Sequence, residues 1–154
     1  MIIKKTIQLI LCAIGLTYRG TAQEDINFTA LTTKNGLSSN TVNTILKDRF
    51  GLLWFGTDDG LDKFDGTSFK VYRHKSGDST SLQANEILAL HEDRAGNLWV
   101  GTSGGSLSLY DRKKDAFINF PAGNRAGSIS NNVIKAVCSD HRGNIWVIHY
   151  GGFN

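Results

Sequence analysis

The sequence predicts an all-β chain: an incomplete β-propeller of about three four-stranded antiparallel blades, the last one truncated, preceded by a signal-peptide helix. Three observations lead there. Trp54, Trp99 and Trp146 recur at intervals of 45 and 47 residues with matched neighbours. Each unit divides into short apolar strands joined by turn residues, and a four-stranded unit of about this period is the signature of a propeller blade. No apolar stripe of 3.6-residue period follows the leader, so no long helix is expected.

The leader comes first. Lys4 and Lys5 precede the apolar run of residues 7–16, and Gly20-Thr21-Ala22 places small residues around a cut after Ala22. This is the layout of a secretory signal peptide over 1–22. Ten helical residues reach roughly 15 Å, about half of the roughly 30 Å hydrocarbon core, so the run is too short for a permanent span. Cys12 lacks the small residues that lipoprotein processing requires before it, leaving Cys138 alone in the mature chain. A small buried apolar role is expected for Cys138.

Composition narrows the class further. With 40% hydrophobic and 20% charged residues, the chain is neither collagenous, disordered nor a disulfide scaffold. Of the 17 Lys and Arg, three lie in the first 22 residues, where there is no acid, so the remainder balances 14 basic against 14 acidic side chains. A balanced surface offers no broad basic face for nucleic acid.

The mature chain, 23–154, reads as repeats at about 37–81, 82–128 and 129–154, the last incomplete. Asp48, Asp93 and Asp140 stand six residues before each Trp, and Gly51, Gly96 and Gly143 three before it. Asn40, Asn85 and Asn132 stand fourteen before it; Leu37, Leu82 and Ile129 seventeen before it. In the first repeat, strands are expected at 42–47, 52–57, 61–64 and 69–73. Asp48 to Gly51 fits a type I turn, with Asp first and Gly fourth, and Asp65-Gly66 a two-residue hairpin. Residues 74–85 are polar and turn-rich and connect units. Residues 28–31 read as a lone outer strand.

Period-two alternation places Val42, Thr44 and Leu46 on one face, matched by Ile87, Ala89 and His91 and by Ile134, Ala136 and Cys138. Ile45, Leu90 and Val137 take the other. Apolar residues on both faces mean a sheet packed between neighbours, with each indole as the wedge. The repeated Trp, Asp, Gly and Asn are accordingly expected to be scaffold, and no catalytic, cofactor or metal residue is nominated.

No phosphate loop occurs, and Gly104-Gly105 and Gly151-Gly152 open no helix. His74, His91, His141 and His149 lack a metal-ligand spacing. The acidic run of residues 58–66 departs from calcium-loop spacing, and no Gly-x-Ser-x-Gly elbow is present. Phe50 and Tyr150 are loop aromatics able to stack on a sugar ring, without further support from the sequence. A ring needs about four blades, so the chain reads as the N-terminal piece of a longer protein whose third unit stops before its third and fourth strands.

The units at 40–72 (NTVNTILKDRFGLLWFGTDDGLDKFDGTSFKVY) and 85–120 (NEILALHEDRAGNLWVGTSGGSLSLYDRKKDAFINF), with Gly36 to Asn40 before the first, resemble the two-component regulator propeller repeat. The third copy departs where Ile148-His149 replaces Gly-Thr, which leaves its following turn in question. The resemblance implies a periplasmic sensor region of a hybrid two-component histidine kinase that detects oligosaccharides. It further implies attachment to the rest of the sensor polypeptide, including a membrane span and kinase, and a homodimer at full length. The phosphorylated His, ATP-binding boxes and receiver Asp of such proteins have no counterpart here, so this segment is expected to be noncatalytic, with no cofactor. Competing expectations are a piece of a secreted propeller hydrolase, lyase or quinone-dependent dehydrogenase, and a secreted adhesion or scaffold propeller.

Overall fold

The structure is a computed structural model that describes residues 27–154; the signal peptide expected at 1–22 lies outside them. Leu31–Asn154 forms one compact unit, whose regular secondary structure is almost wholly strand. Its elements are a 3-10 turn at Thr33–Asn35, then β1 Val42–Lys47, β2 Leu53–Thr57, β3 Gly60–Phe64, β4 Phe69–Tyr72, β5 Ile87–Glu92, β6 Leu98–Thr102, β7 Leu107–Asp111, β8 Ala116–Phe120, β9 Ile134–Ser139, β10 Ile145–His149 and β11 Gly152–Phe153.

Sheet 1 runs β1-β2-β3-β4, sheet 2 β5-β6-β7-β8 and sheet 3 β9-β10-β11, every neighbour antiparallel. Within each sheet, chain neighbours are sheet neighbours because the connections there are tight turns. After β1, the Gly51 amide donates to the Asp48 carbonyl at 2.9 Å, and Gly51 sits at φ 83°, a backbone region nearly closed to other residues. The same turn follows β5 and β9, with Gly96 at 90° and Gly143 at 88°.

Five details depart from the sequence expectation. Residues 28–31 form no strand. Asp65-Gly66 is part of a four-residue connection, because Phe64 pairs with Phe69 and the Asp65 carboxylate accepts from the amides of Thr67 and Ser68. The third unit does begin a third strand, β11, and its preceding turn forms despite the Ile148-His149 replacement: His149 pairs with Gly152 across a two-residue turn, as Thr57 pairs with Gly60. Cys138 is exposed, because it pairs with Trp146 on the outer face of sheet 3, which no described sheet covers.

The fifth concerns faces. A register shift between Ile87 and Ala89 splits the alternation expected along β5. Ile87 and Leu90 pack toward sheet 1, and Ala89 packs toward sheet 3. The bulge sends each strand's first apolar residue into the preceding sheet. A Cβ on Gly56 would stand 2.7 Å from Ile87 Cγ2, and one on Gly101 2.7 Å from Ile134 Cγ2. A missing side chain on one sheet thus admits the branched residue of the next.

Two cores follow. Between sheets 1 and 2 lie Trp54, Leu61, Tyr72, Leu82, Ile87, Leu98, Val100, Tyr110 and Phe117. Between sheets 2 and 3 lie Ala89, Leu107, Ile134, Val137 and Val147, with Trp99 against them. Trp54 is 0% exposed and Trp146 42%, with Trp99 half-buried. The ranking follows how much of a following sheet each indole has. Tyr110 on β7 and Phe117 on β8 help close over Trp54, whereas sheet 3 has no β8 equivalent among the described residues.

Candidate functional site

The residues repeated in sequence meet pairwise in space. Trp54 Nε1 donates to Asp48 Oδ2 at 2.9 Å, Trp99 Nε1 to Asp93 Oδ2 at 3.0 Å, and Trp146 Nε1 to Asp140 Oδ2 at 3.3 Å. The other oxygen of each Asp accepts the backbone amides two and four residues on, so one carboxylate closes the turn and aims the indole. Burial works to raise the Asp48 pKa; the bonds from Trp54, Arg112, Leu52 and Phe50 outweigh it and hold the carboxyl below its usual range. Asp93 is lowered against burial by Trp99, Asn97 and the turn amides, and Asp140 chiefly by the Asn144 side chain.

Asn40 accepts the Thr33 amide at 3.0 Å and Asn85 the His74 amide at 2.7 Å. Asn132 uses its backbone carbonyl instead, taking the amides of Gly104 and Ser106.

Polar ties also cross between sheets. The Arg49 guanidinium donates to Glu92 and to the carbonyls of Asp93 and Arg94, and Arg94 in turn reaches the His141 carbonyl. Arg112 bridges Asp48 at 2.8 Å and Glu92 at 3.1 Å. At a more exposed point, Asp115 takes the hydroxyls of Tyr72 and Tyr110 and the Lys70 ammonium. Burial and the bond to Asp115 push the Tyr110 phenol up to about 12 and Tyr72 higher still.

A further motif went unnoticed in the sequence. Ser38 donates to Asp62 Oδ2 from Oγ at 2.6 Å and from its amide at 3.1 Å, with Thr57 Oγ1 2.7 Å from the same Oγ. Sheet 3 repeats it in other residues, Ser130 on Asn154 with His149 Nε2 at 2.9 Å. Asp62 is fully buried and its Oδ1 has no partner among the described residues. Burial raises its pKa despite the bonds from Ser38.

Two of the concave regions bear on function. One is an apolar groove of about 690 Å³ between sheets 2 and 3, lined by Trp99, Phe120, Pro121, Ile129 and Val147 among others. The other, about 390 Å³, draws on all three sheets where β1, β5 and β9 run side by side: Asn43, Glu86, Leu88, Ser103, Val133, Lys135 and Tyr150 line it. Asn43 Nδ2 donates to Asp58 at 2.8 Å and to the Ile87 carbonyl at 3.1 Å. Lys135 Nζ lies 3.7 Å from the centroid of the Tyr150 ring. None of the repeated Asn, Asp, Gly or Trp residues lines this second cavity.

Its signal in the sequence is disagreement between repeats. Eleven residues before each Trp stand Asn43, Leu88 and Lys135, three unlike side chains at one register position.

Residues 36–59, 81–104 and 128–151 each match the family model described as two component regulator propeller. The chain carries three two-component regulator propeller repeats. Among curated proteins, a 55-residue stretch is 51% identical to Histidine kinase P4 of Formosa agariphila, covering 36% of this chain and 4% of that protein. Among solved structures, the extracellular domain of the hybrid two component system BT3049 from B. thetaiotaomicron superposes with a TM-score of 0.71 at 28% identity. The match covers 82% of this chain and 19% of that one. The chain therefore spans a small part of the relatives it matches, and its repeats are of the kind found in extracellular sensor regions of hybrid two-component systems.

Proposed function

We propose that this propeller segment belongs to a periplasmic receptor that recognises oligosaccharides and transmits that recognition through a membrane span to a histidine kinase. The observation that carries this reading is the coincidence of all three repeats with the regulator propeller model, together with the likeness to an extracellular domain. In this reading residues 1–22 direct export, 23–154 contribute blades, and the segment binds without catalysing. The whole receptor acts as a homodimer.

Two measurements test it. A reporter active only outside the cytoplasm, fused after residue 22, is expected to be active. Thermal melts with defined oligosaccharides are expected to rise for at least one of them, since a ligand at a hundredfold its Kd adds about 2.7 kcal/mol. An inactive reporter or no shift with any saccharide refutes the receptor; cleavage of the added saccharide favours a propeller enzyme.

A further inference from the structure

The geometry points to the cavity of Asn43, Glu86, Ser103, Lys135 and Tyr150 as a binding site for one uncharged pyranose ring of an oligosaccharide. This assignment rests on the receptor reading above and adds to it a place and a ligand class. The cavity, about 390 Å³, is at the small end of the roughly 300–1,000 Å³ of small-molecule sites. Tyr150 is 60% exposed, and its carbonyl is held by Asn131 Nδ2 at 3.1 Å, so the ring is presented from an anchored turn. An aromatic face offers apolar area with a polar tip, which suits the C–H face of a sugar.

The Asn43 amide nitrogen is committed to Asp58 and the Ile87 carbonyl, while its Oδ1 and the two charged groups keep bonding capacity. Neither Lys135 nor Glu86 has an ion-pair partner among the described residues, and Lys135 rests on the Tyr150 ring instead. An ammonium donates to sugar oxygens, while a carboxylate and the Asn43 Oδ1 accept from hydroxyls. The two charges balance. With one acid and one base in the lining, a sugar charge of either sign gains at one group and loses at the other, so the cavity gives a charged sugar no net attraction. Because the lining comes from all three sheets, an occupant would also tie the blades together.

Isothermal titration of the full chain with cellotetraose, mannotetraose and galactotetraose, and with tetragalacturonate as the acidic counterpart, tests this. The expected result is binding of a neutral probe, weakened at least tenfold by Tyr150→Ala and by Glu86→Gln, with unchanged melting temperature. As both side chains are exposed, folding survives these changes; should Tyr150→Ala alter the far-ultraviolet spectrum, Tyr150→Leu and Lys135→Met replace it. A neutral probe that binds wild type and all variants alike overturns the site while leaving the receptor reading intact. Tighter binding of tetragalacturonate overturns the ligand class, and no binding by any probe overturns this assignment together with the saccharide reading.

Discussion

Removing the turn carboxylate from each repeat in turn should cost very different amounts of stability. In Asp48→Ala the Trp54 N–H loses its acceptor inside a fully buried environment, the amides of Phe50 and Leu52 lose theirs, and Arg112 loses one of two carboxylates. A buried donor left unpaired costs about 1–3 kcal/mol. With Arg112 only partly covered, its loss adds about 1 kcal/mol after solvent screening, for a total of about 2–4 kcal/mol. In Asp140→Ala the indole is 42% exposed, and water replaces the carboxylate, so about 0.5–1 kcal/mol is expected. Asp93→Ala falls between. Urea unfolding followed by circular dichroism, at constant m-value, measures all three. Equal losses, or the greatest loss at Asp140, would refute the argument that burial of the paired indole sets the cost.

Acid should expose the opposite signs of two carboxyl classes. Asp48 and Asp93 are depressed in the fold, so their stabilisation is present above the unfolded carboxyl value and lost as pH falls through the folded ones. Asp62 is raised: the native state binds the proton more tightly, so its contribution worsens as pH climbs from the unfolded value through the folded one. Asp62→Asn, which copies Asn154, is expected to equal or exceed wild-type stability at pH 7 and to lose that advantage in acid; a neutral-pH loss in urea melts would count against it. Gly56→Ala and Gly101→Ala each drive a methyl into the next sheet's isoleucine and are expected to cost about 1–3 kcal/mol, whereas a thermal melt unchanged by either would mean the sheets can part. Ultraviolet pH titration should find a phenol ionising near 12 that disappears in Tyr110→Phe; its survival would assign that titration elsewhere.

Much of the architecture was legible because it is written locally and three times over. The turn Asp and Gly, the strand lengths and the indole spacing act within a dozen residues, and their repetition separates them from chance. What failed was read with the same local logic where a distant partner decides. Strict alternation placed Ile87 and Ala89 on one face, but the bulge set by pairing with β6 parts them. Cys138 looked like a core residue, yet its face has no described neighbour. Ser38 and Asp62 are 24 residues apart and share no motif that a linear scan recognises. The candidate cavity was harder still, since its residues matter where the repeats differ.

Periodicity alone determined that this chain makes successive short-stranded leaflets with an Asp-Gly turn and an indole in each, because those features depend on contacts between near neighbours. Which face each bulged strand turns inward, how the Trp54 indole is sealed by the next sheet, and which unlike side chains gather where three inner strands converge were decided only by tertiary packing. Those outcomes depend on surfaces brought together from more than forty residues apart, and such proximity has no linear spacing to reveal it.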